Sequence, residues 1–354
     1  MAQVLVMSKI RRLIFISLFA AIFFSCASNS GGRTPPLWVI EKEKVYPNSE
    51  WLCEVESETD AKLAERAAIT RIAQVFRVDL NAVSTANRQL AEAVSKVRKK
   101  TTLITSQSSD IAQELVSTSV VSGLIGLQVE SWTNPRDGRA YANARMNRKE
   151  CSARYAGMIR ENENVISHLK EEAVNNAETF EAVELLNLAY SVALVTDNLH
   201  DLLTVLDTSY ISKRPSYGNA ESLRTLARIA AQSIVITVKV DGDVSGRIST
   251  AFAEVFSTRG FRTNVAGNNP YTLSASFSLE DVDINNPRNV FVRYLLTCSL
   301  KNREGVEILS HSGNGREGHL NQSEARQRAV RAAEQAIGST GFAVNFDAYL
   351  ASLL

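Results

Sequence analysis

The spacing of apolar residues changes several times along the chain, and each spacing predicts a different element. Alternation predicts strands, and apolar residues three and four apart predict helices. In the first half this gives a strand over 51–57, a helix over 59–76, a strand over 78–84, a helix over 87–99, a hairpin over 116–148 and a helix over 153–172. The hairpin turns at Asp137-Gly138, a favoured turn dipeptide.

The second half opens with the longest unbroken helical pattern, residues 175–210, which is apolar on more than one face. It should form an antiparallel hairpin with the helix before it. Residues 213–219 contain Pro215 and Gly218 and break the chain. The remaining pattern predicts strands over 234–240, 271–279, 292–300 and 306–308, helices over 246–259 and 323–337, and a short amphipathic end.

This order of elements predicts an α+β fold. We expect two small α/β sandwich units, each an antiparallel-rich sheet with helices on one face, joined by an α-helical hairpin. The expected domains are a signal peptide at 1–25, a flexible tether at 26–36, an α+β domain at 37–172, a helical segment at 173–212, a linker with a short helix at 213–232 and a C-terminal α+β domain at 233–354.

Composition narrows the class of protein. The 354 residues are 45% hydrophobic and 22% charged, with a formal net charge of +1. These values exclude a disordered or collagen-like chain, and four cysteines are too few for a disulfide-dense scaffold. No apolar run approaches the roughly 20 residues of a membrane-spanning helix, which excludes a multi-span membrane protein. The balanced charge gives no reason to expect a nucleic-acid partner.

The N-terminus has the three parts of a secretory signal peptide. Lys9, Arg11 and Arg12 precede residues 13–24, in which Ser17 is the only polar residue. Such a run spans only about 18 Å as a helix, too short for the bilayer core. Whether Met1 or Met7 starts the chain stays open.

Cys26 ends the apolar run and is followed by a flexible Ala-Ser-Asn-Ser-Gly-Gly stretch. This resembles a bacterial lipoprotein signal, in which the cysteine sulfur receives a diacylglyceryl group. Phe23-Phe24 replaces the usual Leu and small residue, as in the relaxed signals of spirochaetes. The resemblance implies a palmitate-bearing anchor at Cys26 in the cell envelope, most simply at the outer membrane on its periplasmic or surface face. The alternative is an ordinary secreted protein with a chance cysteine here.

The start of the folded region also carries a family pattern. It consists of Pro36-Leu37-Trp38-Val39, Tyr46-Pro47, Trp51-Leu52 and an alanine-rich helix with Ala61, Ala64, Ala67, Ala68 and Phe76. Over about residues 36–170 the chain resembles the Lpp-twenty family of bacterial lipoproteins, a domain also similar to part of a flagellar-assembly protein. Glu56-Ser57-Glu58 replaces the family's usual Gly-x-Gly, which indicates a divergent member. The resemblance implies a membrane-attached domain that is not an enzyme.

Two motifs suggest ligand sites and are discounted. Residues 313–318 match Gly-x-Gly-x-x-Gly, but Glu317 would face a pyrophosphate and too few residues follow for a dinucleotide-binding unit. We expect a glycine-rich loop. Residues 241–246 open like a calcium loop, but its twelfth position is Phe252 rather than an acid, so Ser245 is expected to cap a helix instead.

The remaining chemistry-bearing residues are expected to be structural. Cys53, Cys151 and Cys298 are expected to be buried small hydrophobic residues, with a Cys53–Cys151 disulfide as an open alternative. Trp132 with Tyr141 is expected in the core, with an exposed aromatic contact as the alternative. His311, Glu317 and His319 could in principle hold a metal, but a solvated loop is expected. No catalytic residue, cofactor, metal or small-molecule substrate is predicted.

Two functional interpretations remain. The first is a lipid-anchored envelope protein with a structural, assembly or protein-binding role, whose partners are the membrane and other envelope proteins or a second copy. Leu186 and Val192 are the predicted partner-surface residues, because their helix is too apolar to face water on all sides. The alternative is an oligomeric secretion or pore-forming component that uses the 116–148 hairpin.

Overall fold

The computed structural model describes residues 34–76, 124–267, 269–283 and 288–354. The predicted signal peptide, Cys26, the strand over 78–84 and the helix over 87–99 lie outside these residues.

The described helices are α1 (Leu37–Ile40), α2 (Lys42–Val45), α3 (Ala61–Phe76), α4 (Arg148–Asn175), α5 (Phe180–Leu206), α6 (Ala220–Ser233), α7 (Arg247–Ser257), α8 (Gln322–Gln335) and α9 (Phe342–Ser352). The strands are β1 (Trp51–Glu58), β2 (Gln128–Thr133), β3 (Ala140–Asn147), β4 (Val235–Asp241), β5 (Arg262–Asn264), β6 (Tyr271–Val282), β7 (Val290–Lys301) and β8 (Glu307–His319). A 3₁₀ turn at Thr208–Tyr210 and a π turn at Ala336–Thr340 complete the set. The α+β class is confirmed.

The chain divides into two compact units. Among the described residues, the first unit holds 34–76, 124–154 and Val205–Thr208, and the second holds 155–204 and the chain from Ser209 onward. The domain boundaries predicted from the sequence stay a prediction.

The first unit is built on a three-stranded antiparallel sheet in the order β1-β3-β2. Its central strand β3 packs against helix α3. Ala142 and Ala144 of the strand and Ala64 and Ala68 of the helix are all fully buried. Small side chains on both sides let the helix approach the sheet closely. Asp60 caps this helix by accepting a 3.0 Å hydrogen bond from the backbone N–H of Leu63.

The segment ahead of β1 contacts the residues of β3 that alternate with those alanines. The guanidinium of Arg145 lies 5.0 Å from the centre of the Tyr46 ring, and that ring packs edge-on against Trp51 at 5.3 Å. Lys42 donates a 3.2 Å hydrogen bond to the carbonyl of Cys53. Both faces of the small sheet are therefore contacted by the chain itself.

Helices α4 and α5 form the predicted antiparallel hairpin. Their middles are joined by a 3.0 Å hydrogen bond from the amide of Asn162 to the hydroxyl of Thr196. Within the first unit, Arg148 at the start of α4 donates to the carbonyls of Val205 and Leu206 at the end of α5. Because the two helices run in opposite directions, these contacts link the beginning of one to the end of the other.

The second unit contains a five-stranded sheet in the order β5-β4-β6-β7-β8. Strand β4 runs parallel to β5 and β6, and the remaining pairs are antiparallel. Helices α7, α8 and α9 cover one face, where Phe252, Phe256, Phe342 and Phe346 are fully buried. These rings pack edge-to-face at 5.0–5.8 Å, a favourable arrangement for aromatic side chains.

Several elements differ from the sequence prediction. Strand β8 continues to His319, so the glycine motif at 313–318 lies in a strand and not in a loop. The first strand of the predicted 116–148 hairpin is described only as β2, which begins at Gln128. The short helix predicted within residues 213–232, by contrast, is observed as α6, whose N-terminus is closed by a reciprocal capping box between Asn219 and Ser222.

The calcium-like loop also differs from prediction at the start of α7. The helix begins at Arg247 after Gly246, which has a φ of 70° and offers no side-chain cap. Instead Asp243 accepts hydrogen bonds of 2.7 and 2.9 Å from the backbone N–H and hydroxyl of Ser249. Asp243 therefore caps the N-terminus of α7, and the prediction that Ser245 is the cap is wrong.

Candidate interaction surface

The face of the five-stranded sheet opposite helices α7, α8 and α9, termed the outer face, is open and rich in hydroxyl groups. Its short polar side chains share a regular position, the solvent side of each strand's alternation. They are Ser274, Ser276 and Ser278 on β6, Thr297 and Ser299 on β7, and Ser310 and Ser312 on β8. All are exposed except Ser299, which is half-buried.

Strand register arranges these hydroxyls in rows across the sheet. One row runs Lys239, Ser274, Ser299, Ser310, and the next runs Asp241, Ser276, Thr297, Ser312. Neighbouring strands lie about 4.8 Å apart, so each row is a line of closely spaced hydrogen-bonding groups. Each hydroxyl can both donate and accept, and short side chains lose little entropy when a partner orders them. The outer face is thus suited to contact with another polar surface.

Charged residues border the hydroxyl rows. Towards one end of the sheet, Glu280, Arg293 and Arg316 lie opposite one another on β6, β7 and β8. The guanidinium of Arg316 lies 5.5 Å from the centre of the Phe291 ring. Towards the other end, the hydroxyl of Ser299 donates to the carboxylate of Glu307. Charged residues of both signs therefore lie at the two ends of the uncharged hydroxyl rows.

Aromatic rings from β7 occupy the space that side chains would need at two glycines of β8. A Cβ on Gly315 would lie 2.5 Å from Cε1 of Tyr294, and a Cβ on Gly318 would lie 2.6 Å from Cε1 of Phe291. Aromatic rings that cover glycines in a neighbouring strand are a recognised way to stabilise sheet edges. The motif is therefore explained by packing, without a phosphate.

His311 is a half-buried titratable group on the helix-covered side of β8. Its Nδ1 lies 3.2 Å from the amide nitrogen of Asn345, and its Nε2 is buried without a hydrogen-bond partner among the described residues. Burial lowers the pKa of His311 below its ordinary value. Six residues of strand put Glu317 about 20 Å away, so the two cannot share a metal. Within the described part of the chain, no cluster of three metal-ligating side chains occurs.

An open groove of about 460 Å³ runs between α7 and α8 on the helical side of this unit. Arg247 pairs with Glu334, and Arg259 pairs with Asp347 through two hydrogen bonds of 2.5 and 2.6 Å. The hydrogen bond and charge of Arg259 hold the pKa of Asp347 below its usual range. Because both guanidinium groups already have carboxylate partners, the groove offers no unpaired arginine to an anion.

The residues singled out from the sequence lie apart from the outer face. Leu186 and Val192 are only 9% and 1% exposed, so this conformation offers neither side chain to a partner, and their partner role stays a prediction. Trp132 is buried 5.8 Å from the Tyr141 ring, which confirms the expectation of core packing. Cys26 lies outside the described residues, and the pore role of the 116–148 hairpin stays a prediction.

The three cysteines of the described region are all buried and free, so the structure contains no Cys53–Cys151 disulfide. Cys53 lies 3.2 Å from the amide oxygen of Asn143, to which its thiol donates. Burial raises the pKa of Cys53 to about 11 and that of Cys298 to about 12. No described helix meets the length and hydropathy required to cross a bilayer.

Sequence reasoning missed the outer face, although part of its signal was present. The polar members of the alternation in β6 are Ser274, Ser276 and Ser278, an unusually uniform set. In β8 the signal is hidden, because glycines occupy positions that carry apolar side chains in other strands.

Comparison with known proteins gives only distant similarities. No protein-family model matches the chain, and no curated protein matches it. The crystal structure of a minor lipoprotein from Acinetobacter baumannii is 14% identical, with a TM-score of 0.24, over 29% of this chain and 86% of that one.

Two further crystal structures are similar at the same low level. A lipoprotein candidate from Caulobacter crescentus is 13% identical, with a TM-score of 0.25, over 33% of this chain and 90% of that one. The secreted protein HP1454 from Helicobacter pylori is 11% identical, with a TM-score of 0.38, over 80% of this chain and 96% of that one. Similarity at these values carries no argument about function.

Proposed function

We propose that this protein is a lipid-anchored lipoprotein of the bacterial cell envelope that acts by binding rather than by catalysis. The observation that carries the proposal is the position of Cys26, between a twelve-residue run with one polar residue and a flexible Ser/Asn/Gly stretch. Acyl chains on this sulfur contribute about 0.8 kcal/mol of membrane affinity per buried CH₂. The resemblance of residues 36–170 to the Lpp-twenty family supports the same role, with the outer membrane as the proposed site.

The proposed binding role is supported by the outer face of the second unit. Exposed hydroxyls on three adjacent strands, bordered by Arg293 and Glu280, offer a partner closely spaced hydrogen-bond donors and acceptors. The proposed partners are other envelope proteins or a second copy of this chain. Leu186 and Val192 are buried, so a role for them would require a conformational change that exposes them.

The anchor is tested by metabolic labelling with an alkyne analogue of palmitate. The wild-type chain should be labelled and should sediment with membranes, whereas Cys26→Ala should be unlabelled and released after export. Cys298→Ala is the matched control, because this thiol is buried in the second unit, and it should keep the label. An unlabelled wild-type chain recovered free in the medium would overturn the anchor.

The binding role is tested separately with a photo-cross-linking amino acid placed at Ser276 on the outer face or at Arg328 on α8. Both positions are exposed, but only the first belongs to the proposed surface. We expect a discrete adduct from position 276 in intact cells and none from position 328. Identical adduct patterns from the two positions, or none from either, would contradict the assignment of the surface while leaving the anchor untouched.

A further inference from the structure

Strand β8 forms an open edge of the five-stranded sheet. It spans 13 residues and, among the described residues, pairs with β7 alone. The opposite edge strand, β5, spans only 3 residues. A long edge strand presents a row of unpaired backbone N–H and C=O groups, which is a template for another strand. The two edges of this sheet therefore differ greatly in their capacity to add a strand.

The usual protections of an edge are sparse along β8. Its pairing with β7 is irregular only next to Leu300, and from Leu309 to His319 the register is continuous. This stretch contains no proline and no lysine. The rings of Tyr294 and Phe291 fill the spaces beside Gly315 and Gly318. The charges it does carry, Arg316 and Glu317, have opposite signs.

We propose that β8 pairs antiparallel with β8 of a second copy of this chain, about a two-fold axis at Asn314. Asn314 is the middle of the regular stretch from Leu309 to His319, so this register pairs the whole stretch. The resulting assembly is a continuous ten-stranded sheet with one shared outer face. The inference goes beyond the proposed envelope role and does not depend on the lipid anchor.

In the proposed register no charged residue of one copy faces a like charge on the other, which favours a second copy as the occupant. In the proposed register Glu317 of each copy lies opposite His311 of the other, and Arg316 lies opposite Ser312. Opposite charges on facing residues stabilise a strand pair, and like charges destabilise it.

Other two-fold registers are less favourable. An axis at Arg316 would set two arginines directly against each other, and an axis at Glu317 would do the same with two glutamates. Either shift also shortens the paired stretch. With the axis at Asn314, the directly facing side chains are two amides, which can hydrogen-bond to each other. Gly313 and Gly315 also face each other, which leaves the backbones free to approach.

The first test is a disulfide between copies in the full-length, membrane-attached chain. Facing residues of antiparallel strands have Cα atoms about 4.5–5.5 Å apart, within disulfide range. Asn314→Cys should therefore give a covalent dimer under mild oxidation. Arg328→Cys, exposed on α8 and away from the outer face, should not. A dimer from both variants or from neither, or a cross-link of Asn314→Cys to a different protein instead, would overturn the proposal.

The second test uses charge in place of cross-linking. Asn314→Lys and Asn314→Asp each set like charges together on the axis, so each should weaken self-association by up to about fivefold in sedimentation experiments. Gln327→Lys, exposed on α8, is the control and should behave as the wild type. An equimolar mixture of the Lys and Asp variants should recover the dimer. Unfolding by urea shows whether each variant folds; folded variants that self-associate as strongly as the wild type would refute β8 pairing.

Discussion

The ring of Tyr294 occupies the space that a side chain at Gly315 would need, since a Cβ there would lie 2.5 Å from the ring's Cε1. Tyr294 is directly opposite Gly315 in the β7–β8 pair. Glycine at this position is therefore part of the packing of the sheet. The same glycine belongs to a sequence motif that is otherwise associated with nucleotide binding. The geometry shows that the glycine is required here by packing in a strand.

Replacing Gly315 by alanine should destabilise the second unit by about 1–3 kcal/mol, because the buried Tyr294 ring must move. Gly313→Ala is the matched control on the same face of the same strand, where a Cβ would meet its nearest atoms at 3.6–4.0 Å, an ordinary contact. Urea unfolding of both variants measures the difference. Equal losses of stability would show that the Tyr294 ring is not the cause.

Removing the hydroxyl of Tyr217 should change both stability and its dependence on pH. This hydroxyl donates a 2.6 Å hydrogen bond to Asp197, which also accepts from the backbone N–H of Ala220 at 2.9 Å. Because the bond is to a charged group, Tyr217→Phe should lose about 1–3 kcal/mol at pH 7. Thr225→Val, which removes a hydroxyl on an exposed part of α6, is the control and should change stability little.

The alkaline behaviour of the same variant follows from the pKa of Tyr217. Burial, and then the bond to Asp197, raise this pKa above its ordinary value, so the folded protein keeps the proton that the unfolded chain releases near pH 10. Stability should therefore fall as pH rises above 10, by up to about 1.4 kcal/mol per pH unit for this proton. In Tyr217→Phe the fall should be shallower by one proton. A slope identical to that of the wild type would refute the assignment.

Asp243 should act as the cap of α7. Partial burial by itself raises the pKa of Asp243, but the hydrogen bonds from Ser249 outweigh burial and hold that pKa below its ordinary value. Asp243→Ala should lower stability by about 0.5–2 kcal/mol at pH 7. Because a depressed pKa stabilises only the ionised form, the difference from the wild type should shrink as pH falls below about 4.

Ser245→Ala provides the comparison for that experiment, since its hydroxyl lies 3.4 Å from Asp243 and does not cap the helix. It should cost less than about 0.5 kcal/mol at every pH. If Ser245→Ala were the more damaging of the two substitutions, the helix would be capped as the sequence had suggested, and the geometry at Asp243 would be wrong.

The three buried thiols should react slowly with thiol-specific reagents in the folded protein. Burial raises the pKa of Cys53, Cys151 and Cys298, and the reactive thiolate is therefore scarce near pH 8. In a Cys26→Ala background, a thiol-specific reagent should modify none of them rapidly before unfolding and all three in guanidinium. Rapid native modification at any one of the three would show that the site opens readily.

The strands that were well predicted are those whose alternation is carried by their own side chains. Tyr271, Leu273 and Phe277 give β6 an unambiguous period of two, and all three are buried as that period implies. Most of β8 was missed, because Gly313 and Gly315 hold the inward positions and rings from β7 supply the apolar volume. A strand whose buried face is filled by its neighbour cannot be recognised from its own sequence.

The segment after α5 shows a second limit of prediction from local sequence patterns. Pro215 and Gly218 indicate a break, yet the backbone N–H of Ser216 donates to Glu163 at 2.7 Å, and the capping box at Asn219 starts helix α6. The contact between Ser216 and Glu163 joins residues 53 positions apart, which local patterns do not encode. In the same way, the apolar breadth of α5 predicted an exposed surface, whereas Leu186 is buried in the single chain.

The pairing of β1 with β3 bears on how the protein is made. The thiol of Cys53 meets Asn143 across these two strands, although the residues are 90 positions apart. At a synthesis rate of about 5–20 residues per second, the earlier strand must wait several seconds for the later one. Throughout that interval its backbone can join any strand it encounters. Among the residues that the structure describes, strand β1 therefore has no native strand partner until residues 140–147 have been synthesised.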